Sequence, residues 1–135
     1  MSAIAPSSTL FSPLRLGPIE VANRFAVPAM VTRLSGDDGF VNDDTVERYR
    51  RFSEGGAGLI VVEASSVHGG RSGPLMKVSS DEFIPGLTRL ASAVHDNGPA
   101  KVMLQIIHFL KVARSGWRQV VGELGIEAQA DCERR

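Results

Sequence analysis

Three apolar runs constrain this chain more than anything else in it: "FAVPAM" (Phe25–Met30), "GLIVV" (Gly58–Val62) and "VMLQII" (Val102–Ile107, broken only by Gln105). A strand with one wet face alternates apolar and polar residues. A continuous apolar run is expected where both faces are covered, as in parallel sheets packed by helices. The intervening segments have helical periodicity with readable ends. In "NDDTVERYRRFSEGGAG", Asn42–Asp44 offer N-caps and early negative charge, Val46, Tyr49 and Phe52 make a stripe, and Gly55-Gly56 supply the stop. In "SSDEFIPGLTRLASAVHDNG", Ser79 and Glu82 have capping-box spacing and Pro85 falls early enough to be tolerated. Phe83, Leu87, Leu90, Ala91 and Val94 share a face there, and Gly98 closes the segment. Strand, helix, strand, helix, strand is the order of parallel strands joined by right-handed crossovers.

Ahead of the first run, "LRLGPIEVANR" alternates on either side of Gly17-Pro18 and reads as a hairpin. After His108 the pattern weakens: "FLKVARSGWRQVV" reads as a long loop and "ELGIEAQADCERR" permits a helix. The expected organisation is a single partial domain over 1–135, with a hairpin at 10–24, a βαβαβ portion at 25–108, and loop plus helix at 109–135.

Composition excludes several classes. Fifteen basic residues balance fifteen acidic ones with no Lys/Arg cluster, which leaves no electrostatic footprint for nucleic acid. No apolar run approaches the roughly 20 residues of a membrane span, and "MSAIAPSSTLFSPL" lacks the build of a secretory signal. Cys132 stands alone, so no intrachain disulfide is expected, and a reducing compartment, the cytoplasm, fits the chain. His68, His95 and His108 lack the spacing of a local zinc motif, and no metal site is expected.

In parallel α/β folds the ligand sits beyond the carboxyl ends of the strands. Here those ends are Pro28, Ala29, Met30, Val31 and Thr32; then Glu63, Ala64 and Ser65; then Gln105 through His108. Gln105 is an amide inside an apolar strand, and its burial costs about 1–3 kcal/mol unless its hydrogen bonds are made. A backbone carbonyl, an ordered water or the edge of a planar polar heterocycle would each satisfy it. Glu63 reads as an acid or base, or as a carboxylate paired with a backbone amide or an arginine. His108 stands at the rim as a substrate or cofactor contact, whereas His95 suits a helix C-terminus. "GGAG" precedes a strand and so stops a helix instead of cradling phosphate. "HGGRSG" reads as a rim loop with Arg71 available to an anion.

The stretches "LFSPLRLGPIEVANRFAVPAM", "GAGLIVVEAS" and "AVHDNGPAKVMLQIIH", in that order, resemble the N-terminal part of the Old Yellow Enzyme family, the FMN-dependent ene-reductases and their dienoyl-CoA reductase relatives. The resemblance implies the start of a (β/α)8 TIM barrel, an α/β fold whose base is capped by a hairpin. It implies FMN as cofactor, NADH or NADPH as reductant, and a small-molecule substrate that is an activated alkene, an α,β-unsaturated carbonyl or enoyl thioester. It would lay Pro28, Ala29 and Met30 along the flavin, face Ala64 to its pyrimidine side and hydrogen-bond Gln105 to the pyrimidine edge. Val31 stands where relatives have Thr or Cys, which removes a hydrogen bond to the flavin unless Thr32 substitutes for it. "HFLKVARSGWRQ" departs from the turn usual after that histidine.

The family's basic flavin contact, its substrate-orienting pair, its proton-donating tyrosine and its phosphate loops lie beyond Arg135, so no residue here is expected to be catalytic. A barrel of this kind takes about 250 residues, and this chain holds about three of eight strands. The 135-residue chain is therefore expected to be inactive alone and to need the remainder of the barrel or another subunit. The alternative is a non-catalytic remnant or interaction module.

Overall fold

The computed structural model describes residues 9–69 and 74–108. Residues 1–8, Arg71 of the glycine-rich loop and the loop and helix expected over 109–135 lie outside the described residues. A 3-10 turn at Thr9–Phe11 leads into β1 (Leu14–Leu16) and β2 (Ile19–Val21), an antiparallel pair that turns at Gly17, whose φ of 59° suits a residue without Cβ. The chain then runs through β3 (Ala26–Val27), α1 (Asp43–Glu54), β4 (Leu59–Ser66), β5 (Met76–Lys77), a 3-10 turn at Asp81–Phe83, α2 (Ile84–His95) and β6 (Lys101–Ile107).

The strands β3, β4 and β6 are parallel, as the apolar runs require. Ala26 stands opposite Leu59, and Leu59 opposite Lys101. Along its other edge β4 is shared: β3 pairs with its first residues, and β5 pairs in parallel with Ser65 and Ser66. Both helices pack on one face of this sheet. Ile60 and Val62 of β4 meet Tyr49 of α1, Leu90 and Val94 of α2, and Met76 of β5 in the buried core, with Val102 and Leu104 of β6 against it. The helix ends follow from the sequence. Asn42 Oδ1 accepts the Thr45 amide at 2.9 Å and caps α1, and Gly56 at φ 79° turns the chain away from it.

Some expectations need correction. The first strand is shorter than Phe25–Met30 because Pro28 has no N–H for the ladder and the chain leaves the sheet there. The Ser79–Glu82 capping box does not form; Ser80 Oγ donates to Glu82 at 2.8 Å, and the 3-10 turn carries the chain into α2, with Pro85 in its first turn. The short strand β5 was not expected at all. It arises because Lys77 N–H finds the Gly39 carbonyl at 3.0 Å on one side and Val78 N–H the Ser66 carbonyl at 2.9 Å on the other.

Asn23, just past β2, donates to the Gly56 carbonyl at 2.7 Å, which fixes the hairpin beside the amino end of β4. The carboxyl ends of the strands lie at the opposite end of the sheet.

Candidate functional site

Co-directional strands in register bring their carboxyl ends to one lip, and two contacts close it. Thr32, beyond β3, hydrogen-bonds Glu63 of β4. The rings of His68, beyond β4, and His108, beyond β6, lie 5.6 Å apart at 59°.

The centre of the lip is a β-bulge. Val62 stands opposite Leu104 and Ser65 opposite Ile106, so Glu63 and Ala64 together face the single residue Gln105. A bulge leaves one residue outside the ladder and re-aims its side chain. The amide of Glu63 is instead taken by a helix: it donates to the phenol oxygen of Tyr49 at 2.8 Å, with Tyr49 only 2% exposed. The carboxylate of Glu63, 1% exposed, accepts the Thr32 amide at 2.5 Å on one oxygen and the Thr32 hydroxyl at 2.8 Å on the other. Thr32 Oγ1 in turn accepts the Leu34 amide at 3.2 Å. Arg33, held between these two tied residues, has φ 65°, a left-handed conformation that costs a non-glycine residue about 1–2 kcal/mol. This bracket supplies the hydrogen bonds that the buried carboxylate requires. Of the readings open to Glu63, pairing with a backbone amide is observed.

Burial pushes the Tyr49 phenol above its ordinary range. A raised phenol pKa keeps the folded state neutral while the unfolded state ionises, so stability present at neutral pH is lost as pH rises past about 10. Tyr49→Phe is expected to lower stability by about 1–3 kcal/mol at neutral pH, because the Glu63 amide is left buried without an acceptor. The same substitution should flatten the alkaline loss. Urea unfolding at neutral and alkaline pH measures both, and an unchanged neutral stability would contradict the contact.

The remaining candidate residues are placed as follows. Pro28, Met30 and Val31 are exposed, Ala29 and Thr32 half-buried. Met30 and Val31 thus present apolar side chains at the lip. Ala64 is buried within the bulge, without bulk. Gln105 lies two residues beyond Met103 on the same face of β6, turned away from the helices, and it is exposed. The expected burial of this amide is corrected: no second layer covers that face among the described residues, so solvent reaches it. His108 is exposed, and His95 ends α2. Among the described residues no group of three His, Cys, Asp or Glu side chains is arranged to hold a metal, and no helix is long and apolar enough to cross a membrane.

Sequence reasoning missed Tyr49, read only as part of a stripe, and missed the bulge. The available signal was "VVEASS", in which a carboxylate interrupts a buried strand and small residues follow it.

Residues 9–122 match the NADH:flavin oxidoreductase / NADH oxidase family. The chain is 35% identical over 112 residues to the 4,4'-dithiodibutanoate disulfide reductase of Rhodococcus erythropolis, covering 82% of this chain and 27% of that protein. It superposes on 2-naphthoyl-CoA reductase in its complex with 2-naphthoyl-CoA at a TM-score of 0.69 and 30% identity, covering 74% of this chain and 16% of the other. On the Old Yellow Enzyme of Pichia sp. AKU4542 the TM-score is 0.74 at 21% identity, covering 89% and 31%. The chain therefore spans under a third of each of these relatives, and its α/β fold is the first part of their barrel.

Proposed function

The chain belongs to the NADH:flavin oxidoreductase / NADH oxidase family, and on that premise we propose that it supplies one wall of an FMN site in an enzyme that uses NAD(P)H to reduce activated alkenes. The carrying observation is the lip itself: three parallel strand ends joined by Thr32–Glu63 and His68–His108, with an amide on the face away from the helices.

The residues fit a flavin by their chemistry. Its ring system is flat and apolar over most of its area, with a polar pyrimidine edge of alternating acceptors and donor. Met30 and Val31 offer exposed apolar surface, Ala64 adds no bulk, and Gln105 carries both donors and an acceptor. Bound FMN would supply the hydride-carrying chemistry between reduced nicotinamide and an electron-poor alkene. The chain's own residues would hold and orient it: Pro28–Thr32 along the ring, Gln105 at the pyrimidine edge, and His108 toward the substrate side. A thioester-activated substrate is consistent with the naphthoyl-CoA reductase likeness.

Met103 and Ile106 of β6 are 52% and 63% exposed. Apolar strand surface of this kind favours completion by the remainder of a barrel or by another subunit. The test is to co-express the full chain with the part of the Rhodococcus reductase beyond the matched region, purify the complex and titrate FMN. A yellow complex is expected, with the full chain alone colourless. A colourless complex would count against the reading. In that complex Gln105→Ala is expected to weaken FMN binding by about 1–3 kcal/mol, the loss of hydrogen bonds to the ligand. Equal affinities for the two proteins would remove Gln105 from the site.

A further inference from the structure

We propose that Glu63 is a positioning residue of the flavin site, which fixes the segment Val31–Leu34 by consuming both donors of Thr32. This rests on the reading of Pro28–Thr32 as the segment along the flavin. A carboxylate accepts on two oxygens, and here one takes the Thr32 amide and the other the Thr32 hydroxyl, at 2.5 and 2.8 Å. The hydroxyl oxygen also receives the Leu34 amide, so a continuous line of hydrogen bonds runs from Leu34 through Thr32 to Glu63. Glu63 is itself anchored, since its amide is held by Tyr49 from α1.

Two consequences follow. The left-handed Arg33 is locked from both sides, which sets the direction in which the loop leaves the lip. The Thr32 hydroxyl proton is also committed inward. It therefore does not replace the hydrogen bond that Val31 cannot give, and Pro28–Thr32 offer a ligand apolar side chains and backbone but no free side-chain donor.

Glutamine in place of Glu63 keeps the shape and one acceptor but brings an N–H to the other position. It can accept the Thr32 amide while donating to Oγ1, which turns the Thr32 hydroxyl proton outward; alternatively it loses the amide. Alanine removes both bonds.

The test has two readouts. In the full chain, amide hydrogen exchange at Thr32 is expected to quicken at least about tenfold in Glu63→Ala, which removes both bonds, and by less in Glu63→Gln, which can keep a neutral acceptor for the amide. Unchanged exchange at Thr32 overturns the proposal without reference to flavin. In the completed complex, Glu63→Gln is expected to weaken FMN binding about tenfold and to shift the visible absorption of the bound flavin, because the donors around the ring change. A general loss of stability would not produce that spectral shift in the protein that remains folded. If the wild-type complex binds FMN and Glu63→Gln binds it with the same affinity and spectrum, the positioning role is overturned and the flavin reading stands. A wild-type complex that binds no FMN overturns the reading and this inference with it.

Discussion

Ile60→Ala is expected to lower the stability of the chain by about 2–5 kcal/mol, the range for removing a large buried aliphatic side chain together with the cavity it leaves. Ile60 has no exposed surface. It stands opposite Val27 on one side and Val102 on the other, and it belongs to the cluster that joins the sheet to both helices. A strand paired on both edges cannot close inward over a void, because its backbone is held by two ladders. The loss should therefore fall in the upper part of the range. Domains of this size are stable by only about 5–15 kcal/mol, so the substitution would consume a large share. Urea unfolding followed by far-UV circular dichroism measures it, and a loss below about 1 kcal/mol would show that the cluster around Ile60 is not what holds the layers together.

Gly98→Ala is expected to destabilise by about 3 kcal/mol, at the upper end of overpacking costs, although alanine adds only one methyl group. A Cβ at Gly98 would lie 2.2 Å from the Ser53 carbonyl oxygen and 2.6 Å from its hydroxyl oxygen. Ser53 cannot yield cheaply: it is fully buried near the end of α1, and its hydroxyl donates to the Val94 carbonyl of α2 at 2.6 Å. Relief requires the two helices to separate where they are riveted together. Because the clash belongs to Cβ itself, Gly98→Val should cost little more than Gly98→Ala, and a large gap between the two would point to the wrong obstacle. The same unfolding experiment distinguishes these outcomes.

Much of the fold was legible because apolar continuity and helix stops are local signals. "GLIVV" and "VMLQII" have no wet face to alternate with, and Asn42 and Gly56 mark the ends of α1 by backbone chemistry that acts within a few residues. The strand β5 was illegible, since Met76 and Lys77 become a strand only through partners at Gly39 and Ser66. The site divides in the same way. The carboxyl ends of the strands could be located from order alone, and pairing of Glu63 with an amide was among its foreseen fates. Which amide it takes depends on a segment 31 residues away in sequence. Gln105 shows the reverse error. Its apolar neighbours suggested burial, but burial requires a second layer on that face, and composition around a residue does not reveal one.

The extra residue in β4 also resets the phase of the strand. Up to Val62, parity decides which side chains look toward the helices; past Glu63 and Ala64 the count restarts, so even and odd positions exchange sides. A sequence without this extra residue, lined up with the chain by hydrophobic rhythm alone, will therefore be one position out on one half of this strand or the other. A single-residue deletion at 63 or 64 would remove the bulge while leaving Ser65 and Ser66 against the same partners, so it would undo the local bracket and leave what the strand presents downstream unchanged.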